Sequence, residues 1–550
     1  MGEPRRSVAC VGGGPGGLFF AILLRQLDPG AEVTVFERNR PDDTFGFGVV
    51  FSDAALGSIH EADPVLLRGL REYGVRWDEI EVRLRGERIR CGGNGMASIA
   101  RRTLLGLLHE RAEQCGVTLR FEHQASDPAE LDGYDLVVAA DGANSLLRTR
   151  FAAHFQPMVD EAVAKFIWLG TNYLFDGLTF LHQGNADGVF AVHGYPYSAD
   201  TSTFIVETDE ASWRRAGLDE FDVAQPPGRS DLKSKEYLEA LFADQIDGHP
   251  LLVNNSRWGN FRTVRTRSWR HRNLVLLGDA AHTAHFSVGS GTKMAMDDAV
   301  ALARTLVDHR WDIDEALAAY EAERRPGVER IQGSARPSLS WWERFGRYYE
   351  SFEPPQFVFH FLSRAITRDN LHRRGPGFVQ RTEDWWLERH GRPPLRSPLT
   401  AGAARFDRRV VPVRGRDGGG RRLPTADGSE LPLLPPGAAP APGRPWGLWL
   451  EAPDAEEGLP AATDALMAGV DAGAALVAVA GGSPLTRVLL CEEGRLAGKT
   501  PTLFVEEGVD RDRALTLLLS GRADLIAASR ALPGTEHEEH EEHEEHEEIA

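Results

Sequence analysis

Residues 7–37 read SVACVGGGPGGLFFAILLRQLDPGAEVTVFE, and this stretch predicts the fold of the first part of the chain. A short apolar run at 7–11 is followed by a turn of five glycines and one proline at 12–17. The next residues, 18–27, have the apolar spacing of a helix, and 32–36 alternate like a strand. Strand, glycine turn, helix and strand in this order form a βαβ unit, which predicts an α/β fold with a parallel sheet.

The glycine turn has the spacing of a dinucleotide-binding motif at the start of a Rossmann-like fold. Gly12 allows the tight turn, Gly14 lets the backbone approach a pyrophosphate, and Gly17 lets the helix pack closely on the strand. Glu37 closes the second strand, where a carboxylate binds a ribose hydroxyl. Because glutamate suits an adenosine ribose with a free 2′-hydroxyl, FAD or NAD is the predicted ligand. A glycine-rich turn without a ligand is the alternative interpretation.

Two later motifs follow predicted buried strands. The sequence DGANSLLR begins at Asp141, and the sequence GDAAH begins at Gly278. A glycine-containing segment and a predicted helix that carries the sequence DDA come after the second motif. Together with the glycine turn, and in this order, these motifs resemble the single-component flavoprotein aromatic hydroxylases of the p-hydroxybenzoate hydroxylase type.

The resemblance implies FAD as the cofactor and NADH or NADPH as the reductant. It implies a Rossmann-like FAD-binding domain interleaved with a β-sheet substrate domain. In that family the DG motif lies near the pyrophosphate, and the GD aspartate binds the ribitol side of the flavin. Arg101 resembles the FAD-contacting arginine of the family, with Arg102 as the alternative. The predicted cofactor-binding residues are Gly12, Gly14, Pro15, Gly17, Glu37, Arg38, Arg101, Asp141, Gly142, Asp279, Gly289, Gly291 and Thr292.

Three segments narrow the resemblance to the group of salicylyl-CoA 5-hydroxylases and 2-aminobenzoyl-CoA monooxygenases. They are 44–53, 278–299 and 361–379, and the likeness runs over about residues 5–390. It implies an aromatic acyl-CoA thioester and O₂ as substrates, with hydroxylation through a flavin C4a-hydroperoxide. The specific expectation is conversion of salicylyl-CoA to gentisyl-CoA. The alternatives are 2-aminobenzoyl-CoA, another aromatic acid or indole-type ring, a non-hydroxylating FAD-dependent reductase, or a noncatalytic FAD-binding protein.

Few side chains are expected to act in catalysis, because the cofactor carries the difficult chemistry. A base or hydrogen-bond acceptor near a substrate phenol would help the reaction. His193 and Tyr195 are candidates on the predicted substrate sheet, and His285 is a candidate in the segment expected to border the flavin ring. A packed or surface histidine is the alternative interpretation for each of the two histidines.

A basic set after residue 360 is a candidate site for the phosphates of CoA. Arginine suits such a site because its planar guanidinium binds phosphate in a bidentate manner. An ordinary solvated surface is the alternative interpretation. The candidate residues are Arg364, Arg368, Arg373 and Arg374.

The chain divides into a long first part and a shorter appendage in this interpretation. The group that it resembles often carries an old-yellow-enzyme-like barrel at the C-terminus, but about 140 residues are too few for a complete barrel. The appendage is therefore expected to be a shortened α/β remnant. The hydroxylase is predicted at 1–390, with FAD-binding parts at 1–155 and 265–340 and a substrate sheet at 156–264. The segments after it are a Pro/Gly-rich linker or irregular segment at 391–450, a small α/β barrel-like remnant at 451–535, and an acidic Glu/His tail at 536–550.

The charge of the chain argues against a nucleic-acid partner, which requires a basic face. The 550 residues carry a formal net charge of −19, with 81 acidic and 62 basic residues. The last fifteen residues hold nine glutamates, so the rest of the chain carries only −10. Histidines at every third position of this tail would bind a transition metal at most weakly, and a solvated tail is expected.

Cysteine usage and hydropathy restrict the protein class further. The four cysteines are scattered without a CxxC pair, which argues against a disulfide framework and a structural zinc site. No metal site is predicted. Because no run of 18 apolar residues occurs, no membrane span is expected. The expectation is a cytoplasmic monomer or homodimer.

Overall fold

The computed structural model describes residues 6–44, 46–125, 127–221, 228–289, 291–415, 420–438 and 440–528. The chain forms two compact units, Met1–Gly346 and Arg347–Ala550. This division falls before residue 390, the boundary that the sequence predicts. Among the described residues no helix is long and apolar enough to cross a membrane.

The first unit contains seventeen strands and eleven helices in its described part. The strands are β1 (Ser7–Val11), β2 (Glu32–Phe36), β3 (Gly48–Ser52), β4 (Val75–Trp77), β5 (Ile80–Leu84), β6 (Glu87–Cys91), β7 (Met96–Ala100), β8 (Thr118–Arg120), β9 (Leu136–Ala139), β10 (Pro157–Thr171), β11 (Leu178–Asn185), β12 (Gly188–Pro196), β13 (Ser202–Thr208), β14 (Leu251–Leu252), β15 (Gly259–Thr266), β16 (Arg270–His271) and β17 (Leu274–Leu276). The helices are α1 (Pro15–Leu27), α2 (Asp53–Ala62), α3 (Pro64–Tyr73), α4 (Arg101–Gln114), α5 (Pro128–Leu131), α6 (Leu146–Arg150), α7 (Ala152–Phe155), α8 (Glu210–Arg215), α9 (Leu232–Leu241), α10 (Gly291–Asp308) and α11 (Ile313–Trp342).

A six-stranded sheet forms the centre of the Rossmann-like part. Its order is β16-β17-β9-β1-β2-β8, and all pairs are parallel except β16–β17. The inner strands β1 and β9 are almost continuously apolar because helices cover parallel sheets on both faces. Helix α1 packs against α10, where Ala295 approaches Gly16. The predicted Rossmann-like α/β core is confirmed.

A second, largely antiparallel sheet is interleaved with the first. Its order is β14-β10-β13-β12-β11-β5-β6, and β15 pairs with β10. Strands β5 and β6 come from residues 80–91, so the sheet draws on chain outside the predicted substrate segment 156–264. Strand β11 pairs with β5 in parallel, a contact between distant parts of the sequence. The predicted interleaving of a nucleotide-binding part with a substrate sheet is confirmed, and a small sheet β3-β7-β4 completes the unit.

The second unit begins within α12 (Phe345–Ser351). Its later helices are α13 (Pro354–Leu362), α14 (Arg368–Arg374), α15 (Pro376–His390), α16 (Leu459–Asp471), α17 (Pro484–Leu496) and α18 (Arg511–Leu519). Its strands are β18 (Leu399–Ala401), β19 (Ala404–Phe406), β20 (Val410–Val411), β21 (Arg421–Pro424), β22 (Glu430–Leu434), β23 (Gly447–Glu451), β24 (Leu476–Ala480), β25 (Thr502–Val505) and β26 (Leu525–Ala527).

The sheet of the second unit is curled like part of a barrel. Its order is β20-β26-β25-β24-β23-β22-β21, with only β21–β22 antiparallel. A bridge from Arg414 to Arg422 joins the chain beyond β20 to β21 at the opposite edge. One face of the sheet packs on the hairpin β18–β19 through apolar residues such as Phe406 and Trp449. The glycine- and proline-rich segment 391–450, predicted as a linker or irregular segment, supplies short strands and their turns.

Candidate functional site

The glycine turn between β1 and α1 has the shape of a phosphate cradle. Gly12 has φ +114°, and a Cβ atom there would lie 2.2 Å from the Ala140 carbonyl oxygen. A Cβ on Gly17 would lie 2.3 Å from the Gly12 carbonyl oxygen, so packing requires both glycines. A Cβ on Gly14 would meet nothing within 4 Å. Gly14 therefore faces open space at the N-terminus of α1, where Pro15 is the first residue, as a pyrophosphate site requires.

Glu37 is held at this turn by three hydrogen bonds. Its Oε2 accepts from the backbone N–H of Gly13 at 2.9 Å. Its Oε1 accepts from the backbone and side-chain nitrogens of Asn39 at 2.8 and 2.7 Å. The carboxylate is therefore fixed beside the glycine turn, in the position from which it is predicted to bind ribose. Arg38 is exposed next to it.

The DG motif presents an unsatisfied oxygen. Oδ2 of Asp141 accepts from the Leu146 N–H at 2.7 Å, while its Oδ1 is buried without a hydrogen-bond partner among the described residues. An unpaired buried oxygen is costly, so this atom suits a ligand donor. Gly142 follows with φ +83°, and a Cβ there would meet open space. These features fit a bound FAD.

Arg148 ends the DG motif and joins it to the GD motif. Its guanidinium donates to the carbonyl oxygens of Ala143 at 2.6 Å and Ala280 at 2.9 Å. Burial lowers the pKa of Arg148, while Asp141 and Asp279 oppose this shift. The predicted site residues did not include Arg148, although its place at the end of DGxxSxxR was a visible signal.

The charges of Arg101 and Asp279, two predicted FAD-binding residues, influence each other. The Arg101 guanidinium makes no hydrogen bond or ion pair within the described part of the chain, and burial lowers its pKa against the influence of Asp279. Asp279 is reachable by solvent, yet the surrounding protein raises the pKa of its carboxyl by desolvation. This combination is typical of a group that lines a recess. Arg102 is exposed and donates to the Asp42 carbonyl. The assignment of Arg101 as the FAD-contacting arginine stays a prediction.

Buried charged residues hold the loop that carries Asp279 in place. Asp298 accepts from the Gly278 N–H at 3.1 Å, from Nε2 of His282 at 2.7 Å and from Arg324 at 2.8 Å. Burial opposes ionisation of Asp298, but His282 and Arg324 outweigh burial and hold its pKa below the ordinary value. His282 therefore supports the loop, and Asp298 is a supporting residue that the predicted site did not include.

The segment after this loop leads into the N-terminus of α10. Gly289 has φ +62°, and Cβ atoms on Gly289 or Gly291 would meet nothing within 4 Å. Thr292 lies half-buried in the first turn of α10. The N–H groups of this turn form the positive end of an 18-residue helix. Ser290 and the tail histidines His537, His540, His543 and His546 lie outside the described residues.

Two of the three predicted catalytic residues meet at one buried carboxylate. Nε2 of His193 lies 2.6 Å from Oε2 of Glu207, and Nε2 of His285 lies 3.3 Å from Oε1 of the same residue. The aromatic rings of Trp342 and Phe286 pack on His193 with centroids 4.4 and 5.4 Å away. The predicted site did not include Glu207, whose signal was a charged residue within the apolar strand STFIVET.

Tyr195 has a different setting from the two histidines. Its hydroxyl donates to the Gly48 carbonyl oxygen at 3.1 Å, and its ring stacks on Trp77 with centroids 6.2 Å apart. Burial raises the pKa of Tyr195 to about 12, so the phenol stays protonated at neutral pH. This arrangement suits a hydrogen-bonding residue better than a base.

The four candidate CoA-binding arginines belong to the second unit. Arg368 forms ion pairs with Asp369 and Glu383 at 2.9 and 2.8 Å, which partly neutralise it. Arg373 donates to the neutral amide oxygen of Asn370. The remaining two are Arg364, whose guanidinium lies 4.1 Å from the centre of the Phe361 ring, and the exposed Arg374. Their role in binding CoA stays a prediction.

Comparisons with known proteins agree with this geometry. The family described as "FAD binding domain" matches residues 5–334. The chain is 58% identical over 526 residues to a salicyloyl-CoA 5-hydroxylase of a Streptomyces species, across 95% of this chain and 100% of that protein. It is 41% identical over 333 residues to the 3-hydroxy-4-methyl-anthranilyl-[aryl-carrier protein] 5-monooxygenase of Streptosporangium sibiricum, across 60% of this chain and 88% of that protein.

A solved structure shows the same fold. A mutant of 2-methyl-3-hydroxypyridine-5-carboxylic acid oxygenase superposes with a TM-score of 0.51 at 20% sequence identity. The match covers 66% of this chain and 99% of that chain. The glycine turn, the DG and GD motifs and the interleaved substrate sheet thus occur together in a chain whose FAD-binding family covers more than half of its length. The chain therefore belongs to the FAD-binding domain family.

Proposed function

We propose that the protein is an FAD-dependent aromatic monooxygenase that hydroxylates an aromatic acyl-CoA thioester. The observation that carries the proposal is the joining of the DG and GD motifs by Arg148, beside a substrate sheet with a buried His–Glu–His cluster. Salicyloyl-CoA is the substrate that we infer, because the Streptomyces relative is similar over nearly the whole chain. The product would be gentisyl-CoA, and the reductant NADH or NADPH.

The chain's own residues bind the cofactor and shape the reaction space. The glycine turn and Glu37 would hold the adenosine diphosphate part, and Arg101 and Asp279 the flavin side. Bound FAD supplies the oxygen-transfer chemistry. The aromatic rings of Phe286, Trp342 and Phe180 surround the histidine cluster and would exclude water from it.

The chemistry of the substrate explains why a proton acceptor is useful. A ring hydroxyl donates electron density to the carbon para to it, which in salicyloyl-CoA is position 5. Loss of the phenolic proton strengthens this donation, so a nearby acceptor raises the reactivity of that carbon. The histidines of the cluster are the acceptors that we propose, and Tyr195 would contribute a hydrogen bond.

We propose that the phosphates of CoA are bound by members of the predicted arginine set. Arg373 and Arg374 are the stronger candidates for these phosphates because both side chains are exposed to solvent. We expect the enzyme to work in the cytoplasm as a monomer or homodimer.

A second candidate substrate is 2-aminobenzoyl-CoA. The relative from Streptosporangium sibiricum acts, by its name, on a 3-hydroxy-4-methyl-anthranilyl group of an aryl-carrier protein. An aromatic amine activates the para carbon as a phenol does, although its N–H proton needs no base before hydroxylation. The two substrates therefore differ in how strongly they depend on the histidine cluster.

A substrate screen tests the proposal. The purified yellow holoenzyme is mixed with NADH or NADPH and, one at a time, with salicyloyl-CoA, 2-aminobenzoyl-CoA, 4-hydroxybenzoyl-CoA and the free acids. We expect salicyloyl-CoA to stimulate NAD(P)H oxidation most and to give one hydroxylated thioester per O₂ consumed. NAD(P)H oxidation that yields only hydrogen peroxide with every aryl-CoA compound would contradict the proposal.

A further inference from the structure

Glu207 is a buried carboxylate between two histidines that belong to different parts of the first unit. Only 1% of its surface is exposed. His193 lies on β12, beside the strand β13 that carries Glu207, and Ala191 is the direct neighbour of Glu207 across this pair of strands. His285 lies in the loop that follows the GD motif. Glu207 thus connects the substrate sheet with the loop expected to border the flavin.

Burial and the two neighbouring histidines together determine whether Glu207 is ionised. A buried carboxylate is costly unless a positive charge and hydrogen bonds compensate it. Burial alone would raise the pKa of Glu207, but His285 and His193 outweigh burial and hold the pKa at about 2. Glu207 is therefore an anion at neutral pH. A third histidine, His182 on β11, faces His193, and burial lowers its pKa to about 3, so it stays neutral.

The anion fixes the orientation of both rings. A carboxylate only accepts hydrogen bonds, so Nε2 of each histidine must carry a hydrogen. In neutral His285 the other nitrogen, Nδ1, is then an acceptor, and it lies 2.7 Å from the Ser287 hydroxyl. The Ser287 hydroxyl lies 2.8 Å from that of Ser338. A continuous hydrogen-bonded chain therefore runs from Ser338 through Ser287 and His285 to Glu207.

Ser287 is the most exposed member of this chain. It is half-buried, whereas Ser338, His285, Glu207 and His193 are buried.

We propose that Glu207 is a positioning residue that makes His285 the acceptor of the substrate's phenolic proton, relayed by Ser287. The inference rests on the proposed function. The O–H bond of the ring hydroxyl breaks, and its electron pair stays on the substrate oxygen. Ser287 takes this proton on Oγ and passes its own proton to Nδ1 of His285. Glu207 stabilises the imidazolium that forms, and the reverse transfer reprotonates the product.

The test compares Glu207→Gln with wild type in the holoenzyme. The pKa values of the His193 and His285 rings are measured from ¹⁵N shifts, which are assigned with His193→Gln and His285→Gln variants. Loss of the anion removes the stabilisation of the imidazolium, so the ring pKa values fall by about one unit or more. Because the acceptor must be neutral to take a proton, the acid limb of kcat/KM moves to lower pH. The kcat for salicyloyl-CoA falls about 100-fold, the size of a general-base effect.

Two further variants make the result specific. Glu81→Gln removes another buried carboxylate of the same sheet, one that pairs with Arg83 and Arg90 at 2.5 and 2.7 Å. It should leave the histidine titrations and the pH profile as in wild type. Ser287→Ala removes a half-buried hydroxyl with little effect on packing, and it should lower kcat at least about tenfold with a smaller change in KM.

Unchanged ring titrations in Glu207→Gln, or the same shift in Glu81→Gln, would overturn the inference. If Glu207→Gln fails to fold, a wild-type kcat and pH profile in Ser287→Ala would overturn it instead. The ring titrations need no turnover, so they separate this inference from the proposed function. Failure of wild type to hydroxylate any aryl-CoA compound would refute the function, while the titrations would still decide the role of Glu207.

Discussion

At the scale of single residues, the candidate FAD site is defined by groups whose bonding is incomplete without a ligand. Oδ1 of Asp141 is buried without a partner among the described residues, and the Arg101 guanidinium has no hydrogen-bond partner there. The carboxyl of Asp279 lies at the same site, with its pKa raised by desolvation. A cofactor that accepts from Arg101 and donates to the carboxylates would satisfy all three residues.

Arg101→Gln should weaken FAD binding about tenfold to a hundredfold, because it removes a charge-assisted hydrogen bond from a partly buried site. The measurement is the Kd of FAD for the apoprotein by fluorescence quenching. Arg102→Gln is the matched control, since the neighbouring Arg102 is exposed and donates to the Asp42 carbonyl. Equal FAD affinity in the two variants would contradict the role of Arg101.

Asp279→Ala should give a protein that is purified without FAD, because the carboxylate is predicted to bind the ribitol chain. The ratio of flavin absorbance to protein absorbance reports the cofactor content. Asp308→Ala, at the exposed end of α10, serves as the control and should retain FAD. An Asp279→Ala protein replete with FAD would show that the residue is not needed for binding.

At the scale of elements, local motifs were predictable and non-local pairings were not. The strand β1, the glycine turn and helix α1 lie within 30 residues of one another, so a local sequence pattern is enough to predict them. The contact between Glu207 and His285 and the pairing of β5 with β11 were missed because the two partners of each lie far apart along the chain. The segment 391–450 was expected to be a linker or an irregular segment because its glycines and prolines mark turns. The short strands between those turns carry little periodic signal.

Two substitutions in the glycine turn should separate packing from ligand binding. Gly17→Ala places a Cβ atom against the Gly12 carbonyl oxygen, and it should lower the free energy of unfolding by about 1–3 kcal/mol. Gly14→Ala meets no protein atom, so it should fold with nearly wild-type stability and bind FAD more weakly. Chemical unfolding of the apoproteins and FAD titration give the two quantities. A strongly destabilised Gly14→Ala apoprotein would contradict the finding that a Cβ atom at Gly14 meets only open space.

At the scale of the whole molecule, each unit has its own buried polar centre. In the second unit, Glu492 accepts from the Tyr348 hydroxyl at 2.5 Å and lies 3.0 Å from Nε2 of His360. Burial alone would raise the pKa of Glu492, but His360, Arg522 and Tyr348 outweigh burial and hold the pKa at about 2. This network joins α12, α13 and α17 within the second unit.

The second unit should lose stability in acid partly through Glu492. The pKa of this carboxyl falls from 4.5, its ordinary value in an unfolded chain, to about 2 in the folded protein. Its ionisation therefore contributes stability that is complete above pH 4.5 and is lost as the pH falls towards 2. Glu492→Gln should lower Tm at pH 7 by several degrees and flatten the fall of Tm between pH 4.5 and 2. Glu493→Gln, which breaks a partly exposed pair with Arg347, should change both much less.

The central claim is hydroxylation of an aromatic CoA thioester with one atom of O₂. The most direct measurement is mass spectrometry of the product formed from salicyloyl-CoA by the holoenzyme with NAD(P)H under ¹⁸O₂. We predict a single hydroxylated thioester that carries one ¹⁸O atom at the position para to the original hydroxyl. Recovery of unchanged salicyloyl-CoA, with the consumed ¹⁸O₂ present only as hydrogen peroxide, would contradict the claim.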